Sequence, residues 1–348
     1  SKNFPVKSPF DILSKGSLKT FLNAMTGSDI TLYPVSSMND KDFRSLMHVY
    51  LDAVFNPLIY EDPRILEQEG WHHDLEHADS NLTYKGVVYN EMKGVFSNPT
   101  RELGYLVDRQ LFPDTPYRFL SGGYPAAIPT LTYDNFINFH RKYYHPSNSY
   151  IFLYGDGDTE AELAFIDEHY LSKYTESDQI VDIPLQPAFE ALRSSQGFYS
   201  AIEGSELEGN SYLSLSFVVG LSADQQLVLG LRVLTQALFN NESAPVRLAL
   251  QEAGIGKDIS AWVDDLKQNV FHIQVQNANP DEGEKFKRVV FETLEKVANE
   301  GLDTAAITGI LNRMEFNLRE GNTPHKGLYY NQKALNSWFW GDEPFSGL

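Results

Sequence analysis

From Leu18 to Met25 and from Ile30 to Val35, two β-favouring runs flank Thr26-Gly27-Ser28-Asp29. Turn residues between such runs predict a hairpin. Phe43, Met47, Tyr50 and Val54 then recur at i, i+4, i+7 and i+11, one apolar helix face that Asp40 can cap and Pro57 stops. Helices are also predicted over Val87–Phe96, Arg101–Leu111 and Tyr133–Tyr143. The Gly/Pro-rich stretch SGGYPAAIP reads as a loop, and Tyr150–Tyr154 as a strand. Further on, Ile259–Val263 and Val270–Val275 read as paired strands. Helices follow at Gly283–Ala298 and Thr304–Arg319.

The pattern recurs. A shift of 184 positions places Phe43, Met47, Tyr50, Val54, Phe55 and Asn56 on Leu227, Leu231, Leu234, Leu238, Phe239 and Asn240, and Asp40 on Asp224. Cap, helix face and terminal Phe-Asn agree, so a duplicated α+β domain is expected, each copy a mostly antiparallel sheet packed with helices. The polar stretch from Tyr174 to Gly197, with Pro184 and Pro187, is the linker candidate. The expected division is a first domain at 1–178, a linker at 179–197 and a second domain at 198–348.

Composition narrows the chemistry. With 348 residues, two domains with real cores fit the length, and 42% hydrophobic residues argue against disorder. A formal charge of −19 disfavours nucleic acid or an anionic membrane surface as the main partner. There is no cysteine, so any metal must use histidine and carboxylate. The N-terminus has no apolar targeting core, and no run approaches a membrane span, which points to a cytoplasmic or matrix-like compartment. A start at Ser1 suggests a piece of a longer chain.

His73-Asp74-Leu75-Glu76-His77 spells H-x-x-E-H, an inverted zinc-peptidase motif. Two histidines four apart meet one metal only on a helix face; in a strand the same step spans roughly 13 Å. Trp71, His73, Leu75 and His77 alternate with His72, Asp74 and Glu76, so a strand is expected, which disfavours a shared metal without removing His73 and His77 as candidate ligands. Glu91 is the stronger ligand candidate. It sits between Val87 and Val95 on a mostly apolar stripe, where burial would require a cation, strong hydrogen bonds or a metal. The residues alone favour a helix-edge carboxylate that reaches water or pairs with a base. The Gly155–Glu160 run lacks the later ligands of a calcium loop and reads instead as a turn in which Asp158 or Thr159 caps a helix.

Several stretches, in order, resemble one family: FPVKSPFDILSKGSLKTFLNAMTGSDITLYPVSSMNDKDF, VYLDAVFNP, EQEGWHHDLE, LTYKGVVYNEMKGVFSNP, SGGYPAAIPTLTYDNFINFHRKYYHPSNSYIFLYGD and NLREGN. They are similar to the presequence-protease branch of the pitrilysin/insulinase zinc metallopeptidases. The resemblance implies that Glu91, in NEMKG, is the third zinc ligand. It also implies that the two histidines and the general base lie upstream of Ser1, which makes the motif at His73–His77 a decoy. A Zn2+ site of this kind activates water to hydrolyse unfolded peptides enclosed in a chamber. The hairpin edge Phe21, Leu22, Asn23, Ala24 and Met25 would take up peptide by strand addition. The zinc helix and the family's C-terminal half are absent from this sequence, so the chain alone is expected to be inactive, with that missing half as its partner. A non-catalytic peptide-binding or scaffolding homologue is the alternative.

Overall fold

The computed structural model describes residues 1–6, 9–177, 181–204, 206–321, 323 and 325–346. By its contacts the chain forms two units, Ser1–Phe96 with Leu120–Ile183, and Ser97–Phe119 with Pro184–Leu348. The segment Ser97–Phe119, which the sequence-based division puts in the first domain, thus packs with the second unit.

The chain opens with α1 (Pro9–Gly16) and an irregular hairpin of β1 (Lys19–Leu22), β2 (Met25–Thr26), β3 (Thr31–Leu32) and β4 (Val35–Ser37). β1 pairs antiparallel with β4, and β2 with β3. Next comes α2 (Asp40–Phe55), which buries Leu46, Met47, Val49 and Tyr50. Its cap is Asn39 rather than Asp40: the Asn39 side chain accepts from Asp42 N at 3.0 Å, leaving Asp40 to place negative charge in the first turn. Asp52, fully buried on α2, accepts from Asn3 N and Asn3 Nδ2 at 2.8 Å each. Those donors offset the cost of burying its charge and pin the N-terminal segment to the helix.

β5 (His72–Asp74) and β6 (Thr83–Lys85) form a short antiparallel pair leading into α3 (Val87–Val95). After α4 (Pro99–Leu111) the first unit resumes with α5 (Tyr133–Tyr143) and α6 (Thr159–His169). The Asp158 side chain caps α6, accepting from Ala161 N at 3.1 Å, as the turn reading expects. The strand expected at Tyr150–Tyr154 is not formed, because no described strand pairs with it. β-propensity without a ladder leaves extended chain.

In the second unit, β7 (Ser211–Leu221), α7 (Gln225–Leu238), α8 (Pro245–Glu252), β8 (Asp258–Asp264) and β9 (Gln268–Ala278) precede α9 (Gly283–Glu300), α10 (Thr304–Glu320) and α11 (Lys326–Trp338). The sheet order is β7-β9-β8, antiparallel throughout. Ile259, Ala261, Phe271, Ile273 and Val275 on one face pack with Leu231, Phe239, Val246, Leu250, Phe286 and Val290. The expected linker is not loose where described. Gln186 is buried, with its backbone N donating to Gln268 Oε1 at 2.7 Å and its side chain to Asp114 Oδ2 at 2.9 Å.

Asp224 caps α7 as expected, but the buried face of that helix runs through Val228, Leu231, Thr235 and Leu238, with Leu234 exposed. Thr235 tolerates burial because its hydroxyl donates to Leu231 O at 2.8 Å. Topology also gives a second internal correspondence beside the 184-residue shift. A hairpin followed by a helix occurs at β1–β4 with α2 and again at β8–β9 with α9. Phe43, Met47, Tyr50 and Val54 then correspond to Phe286, Val290, Thr293 and Val297.

Candidate functional site

The decoy motif is divided between two local structures. His73 lies on β5, opposite Tyr84, whereas His77 falls in the turn that follows, and both are exposed. Alternation within a strand and the turn at Ala78-Asp79-Ser80 keep the two imidazoles from sharing a helix face. Trp71 and Tyr84 pack edge-on at 5.8 Å, and Asp74 pairs with Lys85 at 2.7 Å. These contacts account for the segment structurally.

Glu91 lies in the middle of α3 and is exposed. Tyr89, Met92, Val95 and Phe96 form the half-buried face, and Val87, Val88 and Glu91 lie on the outer one. The stripe through Val87 and Glu91 is therefore the outer face, and the carboxylate reaches water as the residues alone favour. Spacing alone fits both assignments; the decision comes from Met92, which lies against Gly122, and from Phe96, which meets Tyr124 at 5.3 Å. Val87 remains 54% exposed, so the carboxylate stands on an apolar patch of the surface.

The start of α3 is fixed by backbone geometry. Gly86 joins β6 to the helix with φ at 149°, and a Cβ there would lie 2.2 Å from Gly70 O and 2.7 Å from the Trp71 Cα. Neither contact is with a side chain that could swing away. Gly86→Ala therefore costs at least about 1–3 kcal/mol. It is expected to lower the thermal midpoint and to shift the whole of α3, with Glu91, off the β5–β6 pair; resistance of the 86–96 segment to proteolysis measures that shift.

The hairpin residues expected to receive peptide are split as well. Phe21 and Leu22 belong to β1, facing Ser36 and Val35, and Met25 belongs to β2, facing Leu32. Asn23 and Ala24 form the break between them: Asn23 N donates to Pro34 O at 3.2 Å, and Asn23 Oδ1 accepts from Ala24 N at 2.9 Å. The Tyr50 hydroxyl on α2 donates to Asn23 O at 3.1 Å and thereby fastens the hairpin to the helix. Burial pushes that phenol up to about 12, so it remains a donor across the physiological range.

Among the described residues, no group of three histidine, aspartate, glutamate or cysteine side chains is placed to hold a metal ion. A catalytic zinc site needs three protein ligands with one position open. The described donors therefore do not make up a zinc centre by themselves. No described helix is long and apolar enough to cross a membrane. One polar cluster escaped the sequence reading, around His272; its signal is the alternation of His272 and Gln274 with apolar neighbours along β9.

The two hairpin-and-helix units define an α+β fold of the peptidase type, and solved structures share it. The peptidase M16 inactive domain from Pseudomonas fluorescens superposes with a TM-score of 0.61 at 16% identity, covering 91% of this chain and 71% of that one. The first half of the periplasmic protease PqqL from Escherichia coli gives 0.56 at 14% identity, covering 100% and 72%. Residues 130–314 match the family model described as Peptidase M16 inactive domain, and the chain belongs to the insulinase-type M16 peptidase family. It is 46% identical over 351 residues to Protein HypA of Clostridium perfringens, covering 100% of this chain and 36% of that protein. Presequence protease 1, chloroplastic/mitochondrial, of Arabidopsis thaliana is 38% identical over 356 residues, with 100% and 33% covered. The chain thus spans about a third of the length of these curated relatives.

Proposed function

We propose that this chain is part of a zinc-dependent endopeptidase that degrades unfolded peptides inside a closed chamber, and that Glu91 is the metal ligand it contributes. The observation that carries the reading is the placement of Glu91: a carboxylate at mid-helix, on an exposed patch shared with Val87 and Val88, within the NEMKG stretch of a peptidase-family chain. An apolar surface around a charged group suits a position that another part of the longer protein covers. The remaining ligands and the general base come from that other part, so the chain alone does not hydrolyse peptides. The β1–β2 run from Phe21 to Met25 offers backbone for strand addition, a mode of capture that tolerates many sequences.

The test is zinc content and hydrolysis of an unstructured peptide by the full-length protein. Bound zinc, with cleavage that stops on chelation and returns with zinc, is the expected result. Binding of the peptide without cleavage would identify the non-catalytic homologue instead. In the same assay His73→Ala leaves zinc content and cleavage unchanged, because His73 and His77 occupy a strand and a turn.

A further inference from the structure

Within the second unit, a cavity of about 20 Å³ opens to the surface between α7, the β8–β9 turn and α11. That is room for about one water-sized atom. Ser222 and Gln225 line it from the β7–α7 junction, Arg232 from two turns further along α7, and Asp265 from the turn between β8 and β9; Lys333 and Asn336 come from α11. Steps of seven and of three return to the same side of a helix, so Gln225 meets Arg232 and Lys333 meets Asn336 on one wall.

The wall holds two cations against one carboxylate. Asp265 Oδ2 is engaged twice, pairing with Arg232 Nη2 and accepting from Asn336 Nδ2 at 3.2 Å. Gln225 Nε2 donates to Ser222 O at 2.9 Å. The charged donors, by contrast, are largely unspent. A guanidinium has five N–H groups, and Arg232 gives one of them to Asp265. Lys333, partly buried, has no carboxylate within ion-pair distance among the described residues; its Nζ lies 5.5 Å from the centroid of the Tyr329 ring. Burial and the Arg232 cation hold the Lys333 ammonium below its ordinary value, and only Asp265 pushes it back up. This spot is short of negative charge on a chain whose formal charge is −19.

We propose that the cavity is a binding site for a small oxyanion, a phosphate or carboxylate group, held by Lys333 Nζ and the free N–H groups of Arg232. The size of the cavity admits one oxygen, and the rest of the group stays at the mouth. A second oxygen then meets the guanidinium, whose N–H groups are spaced to match two oxygens of one carboxylate or phosphate. A halide offers a single acceptor atom and uses less of this donor set. Asp265 fixes the guanidinium in place, so the fork is set before the anion arrives. The anion supplies the counter-charge that the partly buried second cation lacks.

Isothermal titration calorimetry of the full-length protein at low ionic strength, with inorganic phosphate, acetate and chloride as separate titrants, tests the site. Saturable binding of phosphate or acetate is expected, with chloride weaker than either. Tighter binding of phosphate assigns a phosphate group, and tighter binding of acetate a carboxylate. Lys333→Gln should weaken oxyanion binding by about tenfold or more, the loss of one charge-assisted hydrogen bond. Lys333→Arg, which restores the charge, should recover most of it; a lysine with a merely structural role would show neither the loss nor the rescue. An anion held elsewhere in the protein, at a bound metal for instance, is indifferent to both substitutions. The absence of saturable oxyanion binding in the unsubstituted protein, a preference for chloride, or oxyanion affinity unchanged in Lys333→Gln would overturn the assignment.

Discussion

Glu91→Gln in the full-length protein is expected to abolish both zinc retention and peptide cleavage while leaving stability almost untouched. Glutamine matches the volume and reach of glutamate but offers a neutral amide oxygen where a dication requires an anionic ligand. Substitution of groups that merely orient a ligand typically costs roughly 10–100-fold in metal affinity or activity. Removing the ligand itself should cost more than that. The second half of the expectation follows from exposure: Glu91 lies at the surface of α3, and surface substitutions away from special features stay within about 0.5 kcal/mol. Zinc content by elemental analysis, cleavage of an unstructured peptide, and the unfolding midpoint of the metal-free protein together make the check. Full zinc occupancy in the substituted protein would remove Glu91 from the centre and with it the proposed contribution of this chain.

Phe286→Ala is expected to destabilise the second unit by about 3–5 kcal/mol. The ring is 2% exposed on α9 and packs in the core with Phe271, Ile273, Val275 and Val290. Truncation removes apolar area from the core and leaves a cavity that a sheet and three helices cannot readily collapse to fill. Phe291, five residues on along the same helix, is the internal control. It is 42% exposed and touches Phe217 edge-on at 6.0 Å, so Phe291→Ala should cost a fraction of the Phe286 value. Chemical denaturation, read out by proteolysis of fragments from the second unit, separates the two; equal effects would contradict the core described here.

Much of the secondary structure was legible because strong local signals and tertiary packing agree. The hairpin at Thr26–Asp29, the β8 and β9 strands, and the helices from Gly283 and Thr304 all appear within a few residues of their expected limits. Caps were less certain. Asp40 and Asn39 are both good capping residues one position apart, and only the accepted bond from Asp42 N distinguishes them. The expected strand at Tyr150–Tyr154 failed for a different reason: a strand is defined by its partner, and composition does not reveal whether one is present.

The candidate site was legible to a similar extent. Rejection of His73 and His77 rested on a period-two pattern, and the β5 strand with its following turn agrees with it. Glu91 is singled out by family resemblance and its helix position, and its exposure agrees with the helix-edge carboxylate that the residues alone favour. Val87, Glu91 and Val95 satisfy helical spacing, but so do Tyr89, Met92 and Phe96. His272 gives only a weak signal, since a single histidine in an apolar strand more often fills space than joins a polar cluster.

By itself, the sequence determined the periodicities, the turns, the absence of thiol ligands and the family, because each is written in local residue order or in motifs. Tertiary structure alone decided which face of α3 is covered and which hairpin and helix repeat each other. Those outcomes depend on contacts between residues far apart in the chain, where several local arrangements have similar free energy and packing selects one.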